Sequence, residues 1–209
     1  MKEKGGPPAG VPATAPPDYL EKVSPQNAML IMVDYMTGFN AGLQTIDQKR
    51  YQNNVTALAK IGRIFKLPTI VLGDEGGFRG KFYPQINQYL PDAQKIGRHT
   101  PSAWDEPAFV AAVQKTGRKK LIMGGISLDN CTLLLALDAL RAGYQVHVVV
   151  DASGTDDKLV EQAAMMRLTQ AGAVMTSWVS LASELMGDWN TPAGPLVGKL
   201  YQDHSAWGE

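Results

Sequence analysis

Short, unbroken apolar runs alternating with amphipathic stretches constrain this chain more than any other feature. The first run, AMLIMV at 28–33, lacks helical period and is too short for an ordinary helix, so it reads as a strand buried on both faces. A helix follows over 47–65, with Val55, Leu58, Ile61, Ile64 and Phe65 on one face. TIVLG (69–73) is the second strand, a loop-rich region occupies 74–91, and a short third strand is expected near 95–98. Pro107 in the first turn and Asp105 as N-cap predict a helix to about 116. KKLIMGG (119–125) then reads as a strand, 131–141 as a helix closed by Gly143, and QVHVVVD (145–151) as a strand. A helix over 158–170, a short strand at 173–176 and a helix over 178–186 complete the order. Six strands alternating with helices predict an α/β fold, a three-layer αβα doubly wound sheet that is mainly parallel.

A chain of 209 residues is long enough to bury such a core without metal or disulfide, and its single cysteine rules out an intrachain disulfide. Twenty Lys and Arg balance twenty Asp and Glu, so no basic surface recruits nucleic acid. No apolar run reaches the ~20 residues of a membrane span. The opening residues lack the apolar core of a signal peptide, so a cytoplasmic protein is expected. Residues 5–17 hold five Pro and three Gly, and 1–17 read as a flexible, extended arm ahead of one domain over 18–190. The tail, 191–209, reads as a second irregular arm whose aromatics pack on the body or on a subunit interface, which favours a homo-oligomer.

In a doubly wound sheet, ligands sit beyond the carboxyl ends of the strands where the strand order reverses. The residues to weigh are therefore those at 34–39, 74–82, 98–104, 126–131 and 151–156. Cys131 follows a strand and a five-residue turn and opens a helix. Its thiolate is there favoured by the helix dipole, and free N–H groups of the turn are placed to bind an oxyanion. The opposing view is an inert core cysteine. Asp34 ends an apolar strand, where an unpaired carboxylate would cost several kcal/mol; it is either a turn-starting residue or a paired, chemically active group. An acid and a thiol at strand exits of one sheet supply a general base and a nucleophile to each other.

LIMVDYMTGF, WDEPAFVAAVQKTGRKKLIMGGISLDNC and ALDALRAGYQVHVVVDASGT together resemble the isochorismatase-like cysteine hydrolases, in particular their YcaC-like branch. The resemblance covers roughly 18–190 and implies hydrolysis of a small molecule's amide or related C–N bond by a catalytic triad, without a cofactor. Asp34 matches the family's acid and Cys131 its nucleophile. The third member is Lys in most of the family, whereas KIGRHT offers Arg98 here, as the branch does, with Lys95 as the substitute. Arginine stays protonated, so its part is electrostatic, while Asp34 moves the proton. The resemblance further implies a cis peptide between Ile126 and Ser127 and an oxyanion hole made by the N–H groups of Ser127 and Cys131.

Phe39, Phe82 and Trp104 lie near strand exits and either wall an apolar substrate pocket or pack in the core. The glycines at 73, 76, 77 and 80 with Lys81 do not match a phosphate loop and suggest a flexible lid. His99, His147 and His204 show no metal spacing, and no metal is expected. Asp151, Asp156 and Asp157 read as turn and capping residues. A second class of function remains at this point, a redox-sensing or ligand-binding thiol on the same scaffold. A dinucleotide oxidoreductase lacks the glycine fingerprint after the first strand.

Overall fold

The fold is seen in a computed structural model that describes residues 20–208; the N-terminal arm at 1–17 lies outside them. Six parallel strands form one sheet: β1 (Ala28–Val33), β2 (Thr69–Leu72), β3 (Gln94–Ile96), β4 (Lys120–Gly125), β5 (Gln145–Val149) and β6 (Val174–Thr176). Their order is β3-β2-β1-β4-β5-β6, so the direction of winding reverses between β1 and β4. The helices are α1 (Gln48–Ile64), α2 (Pro84–Tyr89), α3 (Pro107–Lys115), α4 (Leu133–Arg141), α5 (Lys158–Ala171), α6 (Trp178–Met186) and α7 (Gly194–His204). All six residues of β1 are buried and alternate between two cores. Ala28, Leu30 and Met32 meet residues of α1, α2, α6 and α7; Met29, Ile31 and Val33 meet α3, α4 and α5.

Several local expectations change. The α3 N-cap is Glu106, without a side-chain cap, because Asp105 is taken up in the preceding 3-10 turn, Ala103–Asp105. Cys131 does not open α4; it lies in a π-helical turn, Leu128–Thr132, that leads into the helix. The loop-rich 74–91 contains α2, which Pro84 starts. The C-terminal segment is not irregular: its Gly and Pro residues hide α7, whose Val197, Leu200 and Tyr201 are buried against the body. Asp157 caps α5 through the N–H groups of Leu159 and Val160, and Asp151 accepts the Trp178 N–H at the start of α6. Among the described residues, no helix is long and apolar enough to cross a membrane.

Two glycines at the end of β4 let the central strands meet closely at their carboxyl ends. A Cβ on Gly125 would lie 1.9 Å from the Val33 carbonyl oxygen, and Gly125 has φ +158°; on Gly124 it would lie 2.7 Å from Tyr35 Oη. Ser153 reinforces this end, accepting the Gly125 N–H (3.1 Å) and donating to the Val149 carbonyl (2.8 Å).

At the amino end of the sheet, Lys120 is buried and held by Glu21 (3.1 Å) and Gln145. His147, buried two residues along β5 from Gln145, has its pKa pulled down to about 4, first by desolvation and then by Lys120. A folded-state pKa below the unfolded value of about 6.5 means that the unfolded chain takes up a proton first. His147 therefore lowers stability as pH falls from about 6.5 toward 4. Chemical denaturation at pH 7 and pH 4 should show wild type losing about 3 kcal/mol relative to His147→Gln over that interval.

Candidate active site

Three chain segments deliver the site to the switch point between β1 and β4. Asp34 leaves β1 with its N–H still bonded to the Leu72 carbonyl (3.1 Å), and Ile126 leaves β4 bonded to the Val33 carbonyl (3.2 Å). Asp34 adopts φ +52°, a left-handed conformation that Asp tolerates better than most residues and that aims its carboxylate off the strand axis. Arg98, two residues beyond β3, donates from Nη2 to Asp34 Oδ2. Both side chains are almost fully buried. Lys95, the substitute for Arg98, is exposed, bonded to Asn87 Oδ1 (2.6 Å) and stacked over Phe82. Arg98 is therefore the cation at Asp34.

Cys131 is half-buried in its π-helical turn, and Asp34 and Arg98 both act on its thiol. Its pKa moves opposite to the direction that a helix N-terminus alone predicts. Burial pushes the thiol up, the Asp34 carboxylate pushes it further, and Arg98 offsets only part. Burial likewise raises the Asp34 carboxyl, opposed by Arg98, by the hydrogen bond with Cys131 and by Arg79. Both shifts are upward, with burial the largest cause of each. The resting site thus sets a thiol that holds its proton near an acid clamped by arginine.

The turn that carries Cys131 is fixed at both ends. Leu128 N–H donates to the Gly154 carbonyl (2.9 Å), and Asn130 and Thr132 N–H donate to the Ser127 carbonyl (3.4 and 3.2 Å). Thr155 Oγ1 donates to Asp129 Oδ1 (2.6 Å), tying the turn to the segment after β5. The Ile126–Ser127 peptide is cis. The loop over the site is also tied down, in contrast to a flexible lid. Thr37 N–H donates to the Lys81 carbonyl (2.8 Å), Lys81 N–H to Thr37 Oγ1 (3.1 Å), and a Cβ on Gly38 would lie 1.8 Å from the Phe78 carbonyl oxygen.

Phe39 sits in the turn after Asp34, edge-on to the exposed Phe78 (6.1 Å between centroids). Phe82 is buried against Met36 and Gly73. Trp104 packs edge-on to Phe109 (6.0 Å) and Tyr144 (5.3 Å), the latter just before β5 and so toward the amino end of the sheet; those ring contacts do not bring it to Cys131. The sequence reading passed over Arg79, which acts on Asp34 from the loop, and the Thr155–Asp129 lock. Arg79 stands among glycines read as a loop without chemistry, and the Asp129 partner is separated from it by a whole α/β unit. Among the described residues no three His, Cys, Asp or Glu side chains are grouped to hold a metal.

Comparison with known proteins follows this geometry. The model of the isochorismatase domain matches residues 28–180. The probable hydrolase YcaC of Escherichia coli is 35% identical over 185 residues, 88% of each chain. A crystal structure of that protein, described as an octameric hydrolase of unknown specificity, superposes with a TM-score of 0.84 at 36% identity, covering 91% of this chain and 93% of that one. YcaC from Pseudomonas aeruginosa, solved with hexane-2,5-diol and covalent acrylamide, gives 0.84 at 37% identity over 88% and 92% of the two chains.

Removing one partner of a buried ion pair leaves the other charge uncompensated, so Arg98→Met should cost about 3–5 kcal/mol in urea denaturation. Asp34→Asn removes the charge that opposes the thiolate. Iodoacetamide alkylation of Cys131 at pH 8, followed by mass spectrometry, is expected to run several-fold faster in that variant than in wild type.

Proposed function

The chain belongs to the isochorismatase family of hydrolases, and from that premise we propose that it is a cofactor-free cysteine hydrolase that opens an amide or related C–N bond of a small molecule. The observation that carries the reading is a buried Asp34–Arg98 pair at the strand exits that acts on the single thiol, Cys131. Asp34 takes the Cys131 proton as Sγ attacks the carbonyl carbon, so the thiol becomes nucleophilic only as the new bond forms. The tetrahedral oxyanion is received by the N–H groups of Ser127 and Cys131, which are outside the hydrogen bonds of Leu128, Asn130 and Thr132 that hold the turn. Asp34 returns the proton to the leaving nitrogen, and the C–N bond breaks to give a Cys131 thioester. Water then attacks the thioester with Asp34 again as base, releasing the acid and restoring the thiol.

Arg98 contributes charge and not a proton, because guanidinium does not titrate in the working range. It opposes the burial that raises the Asp34 pKa, and Arg79 adds to this from the loop. Phe39 and Phe82, on either side of the segment after β1, supply the apolar wall of the substrate pocket, with Trp104 farther from the chemistry. YcaC from Pseudomonas aeruginosa is described with covalent acrylamide, an electrophile that adds to nucleophiles, and this supports a nucleophilic side chain here. The relative described as octameric supports a homo-oligomer.

A redox-sensing thiol is less well supported by the same geometry. Sensor cysteines are exposed and acidic, whereas Cys131 is half-buried with its pKa raised. Protein mixed with a panel of small amides and activated esters is expected to gain the acyl mass on Cys131, with none on Cys131→Ala. If wild type gains only oxygen or disulfide mass at Cys131, the hydrolase reading is wrong.

A further inference from the structure

Helix α7 carries a groove unrelated to the site around Cys131. Trp189, Pro195, Gly198, Tyr201 and Trp207 line it together with the polar Lys199 and Gln202, and its volume is about 410 Å³. Trp189 and Trp207 are 55% and 79% exposed, an unusual amount of indole surface to leave in water. Trp189 stands edge-on to Tyr201 (5.9 Å), which in turn packs on the buried Trp178, so the groove is anchored to the core. Gly198 lies in the helix interior, where glycine costs roughly 0.5–1 kcal/mol relative to alanine. A Cβ built on it would meet nothing within 4 Å, so the fold itself does not require glycine there. A bare helix backbone between two indoles does serve one purpose: it lets another backbone come close.

The same chain holds a segment whose chemistry matches that groove. Residues 5–17, GGPPAGVPATAPP, contain no charged side chain and five prolines. Proline rings stack on aromatic faces, and a proline-rich chain loses little entropy on docking because its φ angles are already restricted. The point where the arm joins the body is close by. Val23 N–H donates to Glu184 of α6 (3.1 Å), and a second groove of about 460 Å³ is bordered by Pro25 on the entering chain and Leu196 on α7. Thirteen residues of extended proline-rich chain span about 40 Å, and α7 is only about 16 Å long. We propose that the proline-rich arm at residues 5–17 docks in the Trp189–Gly198–Trp207 groove of its own chain.

The test uses the full-length protein with p-benzoylphenylalanine in place of Ala13, prepared as a mixture of ¹⁴N and ¹⁵N chains and irradiated. Mass spectrometry is expected to find crosslinks from residue 13 to 189–207 between peptides of one isotopic form. Gly198→Arg, which fills the groove without touching the core, should lower their yield at least fivefold while the alkylation rate of Cys131 is unchanged. Replacing Pro7, Pro8, Pro12, Pro16 and Pro17 together by Ala should lower it similarly, and this change lies outside the body of the fold. Crosslinks to another surface, crosslinks predominantly between ¹⁴N and ¹⁵N peptides, no crosslink, or an equal yield in Gly198→Arg would each overturn the proposal.

Discussion

Two opposite charges are held at the carboxyl ends of the central strands with almost no access to water, and the rest of the site follows from that pair. Asp34 or Arg98 alone in this position would carry a desolvation cost of several kcal/mol. Together they form a local dipole whose negative end is offered to one neighbour, the Cys131 thiol. The pair also explains why the site keeps its sulfur protonated. In this low-dielectric setting a thiolate beside the Asp34 carboxylate would be two anions sharing one cation, and burial penalises both. The arrangement therefore stores its reactivity in a proton that has somewhere to go.

The placing of Cys131 at this pair depends on how closely β1 and β4 approach. Gly124 and Gly125 remove the side chains that would otherwise keep Val33 and Tyr35 away, and the Ser153 hydroxyl bridges the same end of the sheet. Farther out, Gly38 and Gly80 let the turn after β1 and the loop after β2 pack backbone against backbone, which presents Phe39, Phe78 and Arg79 over the same end. The loop's glycines thus serve contact and positive φ, and a glycine-rich sequence encodes a tied structure.

Much of this was readable from residues. Unbroken apolar runs locate β1, β4 and β5 because burial on both faces leaves no room for polar alternation, and Asp34, Arg98 and Cys131 stand at strand exits where topology places ligands. What could not be read depends on tertiary context. The π-helical turn at Cys131 has no signature of its own in side-chain spacing. The direction of the thiol shift is a contest between helix dipole, burial and a carboxylate that is distant in sequence. Helix α7 is obscured by Gly194, Pro195 and Gly198, whose local cost is offset by Val197, Leu200 and Tyr201 burying against α1 and α6. Trp104, near a strand exit in sequence, packs its ring against Phe109 and Tyr144, contacts that its spacing does not announce.

The pairing of β1 with β4, Ala28 opposite Lys120 through Val33 opposite Gly125, has a consequence for how the protein comes into being. These contacts close a loop that contains β2 and β3, so they are high in contact order and belong to the slow part of assembly. Until that seam is zipped, Cys131, which follows β4, has no carboxylate beside it, whereas Asp34 meets Arg98 through the separate pairings of β1 with β2 and β2 with β3. The sulfur therefore travels through synthesis and folding as an ordinary cysteine. Its reactivity switches on with this long-range register of the sheet, which makes chemical competence a report on the pairing of β1 with β4.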